Sequence, residues 1–283
     1  MKLSIIIPAH NEERYIADCL YSFVNQTHKP DELIIVDDNS TDGTFNLASG
    51  FAGDHDWIKV VKRESSDQHL PGQKVVEAFN YGLAQSCIQY DFIGKFDADI
   101  ILPENYFEQI INHFQANWLL GMCSGLLYVE KKGKWVYENI AKKSHVRRPI
   151  KLYYRQVFEL MDGLRLGTGW DTVDTLLCQY HDFEVKTDSS LMVKHLRPTG
   201  HGYSTKNYHA KGEALYKMRY GLPLAKLALF KMALQSKNPM LYASGILGYL
   251  RAWLRRLPRF VNSEEGKFIR RLRWKGIFGK LSA

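Results

Sequence analysis

Leu33-Ile34-Ile35-Val36-Asp37-Asp38-Asn39-Ser40-Thr41-Asp42-Gly43 passes from an unbroken apolar run into acids, hydroxyls and glycine. An apolar run without alternation is a strand buried on both faces, as in a parallel sheet. The polar run after it is a loop opening a helix, with Ser40 or Thr41 as the N-cap candidate. Neighbouring stretches repeat the theme. Leu3–Ile7 is another buried strand, and after the Pro8–Glu12 loop Ile16, Leu20, Phe23 and Val24 recur at helical spacing. Trp57–Val61 fits a third strand, Pro71-Gly72 opens a helix running to about Ser86, and Phe92–Phe96 is a fourth strand ending at Asp97. Strands separated by single helices predict an α/β fold with a mostly parallel central sheet flanked by helices. Ligands of such sheets bind at the carboxyl ends of the strands. Pro8–Glu12, Asp37–Asp42 and Asp97–Asp99 all fall there.

The middle of the chain is less regular. Leu119–Val129 reads as a long strand, Lys131–Lys134 as a turn, and Trp135–Tyr137 as a return strand. Residues 138–168 are basic and aromatic and give no clear period. Trp170 to about Tyr180 reads as a helix after Gly167-Thr168-Gly169, followed by a short strand near Phe183–Lys186 and another at Leu191–Leu196. The N-terminal apolar run is too short for a signal peptide and has no small-residue cleavage site after it.

Charge is distributed unevenly over the 283 residues, which carry a net +8. Residues 211–283 hold 16 Lys and Arg against Glu213, Glu264 and Glu265, a net of +13. The other 210 residues hold 22 basic and 27 acidic side chains, a net of −5. A mildly acidic body with a basic tail points that tail at an anionic surface. Leu224, Leu227, Ala228, Lys231 and Leu234 share a helical face, and Pro239–Leu250 is an uncharged run well short of the ~20 residues that span a bilayer. Leu250, Trp253, Leu254 and Leu257, interleaved with Arg251, Arg255, Arg256 and Arg259, fit an interfacial amphipathic helix. The tail therefore favours a membrane over a nucleic acid, which would call for cations on a folded reading element. Cys19, Cys87, Cys123 and Cys178 have neither C-x-x-C nor metal spacing, so they read as reduced thiols of a cytosolic protein.

Two acids at i and i+2 leaving a strand end, Asp97 and Asp99, can converge on a hard cation and a diphosphate. Alone the pair is also an ordinary solvated turn. Asp37-Asp38 is likewise ordinary cap chemistry unless its context supplies a ligand. The place of a G-x-G-x-x-G loop after the first strand is taken by Pro8-Ala9-His10-Asn11-Glu12, which argues against a dinucleotide oxidoreductase.

Taken in order, Ser4-Ile5-Ile6-Ile7-Pro8-Ala9-His10-Asn11-Glu12, Ile34-Ile35-Val36-Asp37-Asp38-Asn39-Ser40-Thr41-Asp42-Gly43-Thr44 and Phe96-Asp97-Ala98-Asp99 resemble the family 2 glycosyltransferases, which are nucleotide-sugar dependent. The resemblance implies the GT-A (Rossmann-like) fold, with residues 1–105 as the nucleotide-sugar half and 106–210 as the acceptor half; it fades over 211–283, which the charge and apolar pattern make a basic, amphipathic helical appendage. It implies Pro8, Ala9 and Glu12 in the nucleoside pocket, Asp38 or Asp37 on the base, and Lys74 as a nucleotide contact. Asp97 faces ribose or metal, Asp99 is the principal ligand of Mn²⁺ or Mg²⁺, and His195 joins the metal or the diphosphate; Arg197 and His201 follow in the same segment. Gly169-Trp170-Asp171-Thr172-Val173-Asp174 resembles the family's acceptor-side helix, with Val173 where glutamate is usual; Asp174 stands at the catalytic base and Asp171 is the alternative.

The implied activity is inverting transfer of a sugar from a nucleoside diphosphate, UDP first, to a saccharide or lipid-linked acceptor in polysaccharide or glycoconjugate biosynthesis. The expected place is the cytoplasmic face of the cell membrane, held peripherally through 211–283. The alternatives are transfer to a polyprenyl phosphate, or a catalytically inactive nucleotide-binding or membrane-interaction module. Gln-x-x-Arg-Trp and multiple membrane spans, which mark the processive members, are missing from the sequence.

Overall fold

The computed structural model describes residues 1–65, 72–198 and 205–281. The chain divides into two compact units, the first comprising Met1–His69, Lys74–Leu164 and His181–Thr199, the second Leu70–Gln73, Arg165–Tyr180 and Gly200–Ala283. Residues 165–180, placed with the acceptor half by sequence, thus fold with the C-terminal helices.

The first unit begins with strands and helices in alternation: β1 (Leu3–Ala9), α1 (Ile16–Val24), β2 (Glu32–Asp38), α2 (Thr44–Asp54), β3 (Ile58–Arg63), α3 (Gln73–Ala84) and β4 (Phe92–Phe96). It continues with β5 (Ile100–Ile101), α4 (Tyr106–Ala116), β6 (Leu120–Lys131), β7 (Lys134–Tyr137), β8 (Ile150–Tyr154), α5 (Arg155–Leu160) and, after α6 (Trp170–Tyr180) of the second unit, β9 (Glu184–His195). Among the described residues one sheet runs β3-β2-β1-β4-β8-β6-β9-β5, with β7 beside β6. The order from β3 to β4 is parallel. Beyond it β8 lies antiparallel to β4 and β6. The sheet is therefore parallel from β3 to β4 and mixed over the rest.

Both faces of the parallel half are buried, as its unalternating sequence requires. Leu3, Ile5 and Ile7 of β1 and Leu33 and Ile35 of β2 pack with Leu20 and Phe23 of α1 and Phe107 and Ile110 of α4. Phe23 and Phe96 meet edge-on at 5.7 Å. On the opposite face Gly82 of α3 lies against Ile6 and Val36, where an added Cβ would come within 2.7 Å of their methyls.

Several expectations need correction. The strands expected near Phe183–Lys186 and Leu191–Leu196 are one strand, β9. Its pairing with β6 jumps from Ser124↔Thr187 to Leu126↔Met192, so extra residues are accommodated as a bulge. Within it Asp188 Oδ1 accepts from the Ser190 amide at 2.8 Å, and that polar interruption hides the continuity. Neither Ser40 nor Thr41 caps α2. The N-cap position is Gly43, and Ser40 and Thr41 bond to the Asn11 loop instead. Pro71 and His201 lie outside the described residues.

The second unit adds α7 (Thr205–Lys217), α8 (Leu222–Gln235), α9 (Met240–Leu254) and α10 (Ser263–Leu281). Gly212 of α7 and Gly245 and Gly248 of α9 allow the two backbones to cross closely; a Cβ on Gly248 would lie 2.1 Å from the His209 carbonyl oxygen. The amphipathic helix expected through Arg259 ends at Leu254. Arg256 is left-handed at φ 50°, the Leu257 amide closes onto the Ala252 oxygen at 3.1 Å, and Pro258 follows.

Candidate active site

The loops leaving β1 and β2 are stitched together. Asn11, left-handed at φ 53°, accepts the Thr41 amide on its side-chain oxygen at 2.8 Å, and its own amide bonds Ser40 Oγ at 3.0 Å. The Glu12 amide donates to Thr44 Oγ1 at 2.7 Å, and His10 Nδ1–H donates to the Asp38 carbonyl oxygen at 2.7 Å. The polar motifs thus fix two strand-end loops against each other. Pro8 and Ala9 sit opposite Val36 and Asp37 in the parallel ladder.

The acid pair divides its work. Asp38 receives Arg63 Nη1 at 2.6 Å, and the same guanidinium reaches Glu77 Oε2 at 2.8 Å. Asp37 is buried, and its Oδ1 has no protein partner. Asp37, the alternative base contact, therefore keeps an acceptor open, whereas Asp38 is already engaged. Lys74 lies in the first turn of α3. Arg63 was missed by the sequence reading, because a strand-terminal arginine carries no motif.

Asp97 and Asp99 have opposite surroundings although one residue separates them. Asp97 Oδ1 pairs with the ammonium of fully buried Lys95, and Oδ2 lies 3.5 Å from Arg148 Nη2. Burial alone would raise its pKa, but the two cations outweigh it and hold the carboxyl well below the usual range. Asp99 is raised, first by burial and then by the charge of Asp97, against the opposing pull of His195 and Arg197. Its Oδ2 accepts from Arg197 Nε at 3.0 Å, and its buried Oδ1 has no hydrogen-bond partner. Arg197 also binds Glu12 Oε1, leaving Glu12 Oε2 buried and unpartnered. Burial pushes Glu12 up to about 7 despite that arginine.

His195 reaches Asp99 because β5 and β9 are antiparallel, with Ile100 opposite His195, and the Leu196 amide bonds the Asp99 oxygen at 2.8 Å. Its Nε2 is 3.7 Å from Asp99 Oδ1, and its Nδ1 is 3.1 Å from Glu138 Oε2. Glu138 follows β7 and is buried with Arg147 Nη1 at 2.6 Å from the same oxygen. A carboxylate paired with arginine only accepts, so His195 Nδ1–H donates to Glu138 and Nε2 is the ring nitrogen turned toward Asp99. Nε2 and Oδ1 thus face each other at 3.7 Å, beyond hydrogen-bond reach. That donor set fits a hard divalent cation, and a carboxylate behind the histidine is the usual orienting partner of a metal-bound imidazole. Among the described residues no group of three or more His, Cys, Asp or Glu is arranged as a closed metal cage. Two protein ligands plus phosphate oxygens and water suffice for Mg²⁺ or Mn²⁺. Asp97, with both oxygens held by cations, is the least available of the three expected ligands.

Glu12, Asp97, Asp99 and His195 are thus brought together in the first unit, with Lys95, Glu138, Arg147 and Arg148 added by the fold. A charged residue such as Lys95 inside an otherwise apolar strand was the one available sequence signal. Asp174 and Asp171 belong to the second unit, on α6. Asp174 is buried, and its Oδ1 accepts the Thr175 amide at 2.5 Å.

Comparison with known proteins is consistent across sequence and structure. The family profile described as Glycosyl transferase family 2 matches residues 4–169. EpsH of Bacillus subtilis is 28% identical over 169 residues, 60% of this chain and 45% of that protein. The chain spans less than half the length of the curated relatives it first matches. Among solved structures, the mannosyltransferase PcManGT of Pyrobaculum calidifontis, in complex with GDP-Man and Mn²⁺, superposes with a TM-score of 0.58 at 16% identity, over 89% of this chain and 75% of that one. S. aureus TarS 1–349 in complex with UDP-GlcNAc gives 0.57 at 18% identity, over 82% and 67%.

Proposed function

Since the chain belongs to glycosyl transferase family 2 and has the A-type glycosyltransferase fold, we propose that it transfers a sugar, with inversion, from a nucleoside diphosphate to a saccharide or lipid-linked acceptor. UDP is the first nucleotide to test, and polysaccharide or glycoconjugate assembly is the setting. The observation that carries this reading is the convergence of Asp99 Oδ1, buried without a hydrogen-bond partner, and His195 Nε2 at the carboxyl end of the parallel strands.

In this reading Pro8, Ala9, Asp37 and Asp38 hold the nucleoside, with Asp37 Oδ1 open to an N–H of the base. Asp99 and His195 would hold Mn²⁺ or Mg²⁺. Bound there, the ion would neutralise charge on the departing diphosphate. Asp97 stays ionised through Lys95 and Arg148 and orients ribose. Asp174, with Asp171 as the alternative, takes the proton of the acceptor hydroxyl as its oxygen bonds to the anomeric carbon. The bond to the diphosphate breaks with its electron pair on the diphosphate.

Thermal unfolding with a panel of nucleotide sugars, with and without Mn²⁺, identifies the donor. Asp99→Asn should weaken metal-dependent nucleotide binding at least tenfold, the range expected for loss of a metal contact. Asp174→Asn should abolish transfer and leave nucleotide binding unchanged. No metal-dependent stabilisation by any nucleotide would overturn the transferase reading, and normal turnover by Asp174→Asn would move the base to Asp171.

A further inference from the structure

Helices α8 and α9 form a hairpin whose inner side is packed and whose outer sides are not. Leu229 of α8 meets Gly245 of α9, and Phe230 and Tyr242 approach edge-on at 6.1 Å. Leu227, Phe230 and Leu234, at i, i+3 and i+7, form one solvent-facing stripe on α8. Met240, Leu247 and Leu254, at seven-residue spacing, form another on α9. These six side chains are between 45% and 74% exposed, and Trp253 at 58% extends the second stripe. So many large apolar groups in water on two adjacent helices mark an interaction surface rather than scattered surface leucines.

The charges around the stripes identify the partner. Lys226 and Lys231 flank the α8 stripe on either side, Lys237 stands in the connecting turn, and Arg251, Arg255 and Arg256 border the end of the α9 stripe, all exposed. No acid occurs between Glu213 and Glu264 in the sequence. We propose that the outer faces of the α8–α9 hairpin dock on an anionic lipid bilayer, seating the protein peripherally on the cytoplasmic face of the cell membrane. Leucine, phenylalanine and tryptophan enter the acyl boundary while the long basic side chains reach back to the headgroups. Anionic headgroups concentrate on that leaflet.

Other occupants fit less well. A second copy would bring its own acid-free basic face against this one, and like charges repel. A nucleic acid would satisfy the cations but leave the apolar stripes in water. Among the described residues no helix is long and apolar enough to cross a membrane.

The test is co-sedimentation of the full chain with phosphatidylcholine vesicles with and without phosphatidylglycerol, at low and high salt. Binding should require phosphatidylglycerol and weaken with salt. The double variants Phe230→Ser/Leu234→Ser and Arg255→Glu/Arg256→Glu alter only exposed groups, and circular dichroism should confirm their fold. Each should lose about tenfold or more in partitioning, since two inserted apolar side chains, or two basic residues near an anionic surface, together carry at least that factor. Wild-type partitioning by both variants would overturn the proposal. So would equal binding to neutral vesicles, or a concentration-dependent dimer in analytical ultracentrifugation that Phe230→Ser/Leu234→Ser dissolves. None of these outcomes depends on sugar transfer.

Discussion

Replacing Glu12 by glutamine should change how stability depends on pH, by an amount the site itself sets. The Glu12 side chain is 12% exposed, Oε1 is bound by Arg197, and Oε2 is buried without a partner. Burial raises its pKa from 4.5 to about 7, with the charges of Asp99 and Asp97 adding to the rise and Arg197 opposing it. The folded protein therefore holds a proton that the unfolded chain has already released between those two values. Stability from this group is complete below pH 4.5 and is lost as pH rises to about 7. At about 1.4 kcal/mol for each tenfold change in proton affinity, the loss is about 3 kcal/mol. Glu12→Gln cannot titrate, so the difference in unfolding free energy between wild type and variant should change by that amount across the window. Titrating groups away from the site cancel in the difference. Urea titrations followed by tryptophan fluorescence, at pH values on either side of the window, measure it. Parallel stability curves would show that Glu12 holds its proton no more tightly than a surface glutamate and would refute the argument.

Two further perturbations probe positioning and packing. Glu138→Gln keeps a side chain of the same shape behind His195 but removes the accept-only partner that fixes the imidazole; Mn²⁺ affinity in the presence of nucleotide, read by electron paramagnetic resonance, should fall about 10–100-fold. Wild-type affinity would make Glu138 merely a partner of Arg147. Gly248→Ala should destabilise by about 1–3 kcal/mol or more, because its Cβ meets the His209 carbonyl oxygen, whereas Gly50→Ala, with open space around it in α2, should stabilise by about 0.5–1 kcal/mol. Equal effects in chemical denaturation would contradict the close crossing of α7 and α9.

Much of the parallel half was legible in the sequence because its signals are local. A strand buried on both faces has an unalternating apolar run, and a loop that binds its neighbour must be built from asparagine, serine, threonine and aspartate. Leu3–Ile7, Leu33–Val36 and Phe92–Phe96 all became strands, and the polar groups after them mark strand ends. Strand β8 was not legible. Its second residue, Lys151, is fully buried and lies directly opposite buried Lys95, so the apolar pattern that announces a strand is broken where the chain is most enclosed.

By itself the sequence determined the α/β order, the family, and which strand ends carry acids. Tertiary structure alone decided what those acids are. Asp97 and Asp99 are equivalent letters one residue apart, yet Lys95 and Arg148 hold one firmly ionised while burial raises the other and leaves Oδ1 open. The cause is electrostatic: a carboxyl's proton affinity depends on the charges and solvent within a few ångströms. Those neighbours arrive from Glu138, Arg148, His195 and Arg197, residues whose nearness to Asp97 and Asp99 is set by strand pairing and by no spacing that the sequence displays.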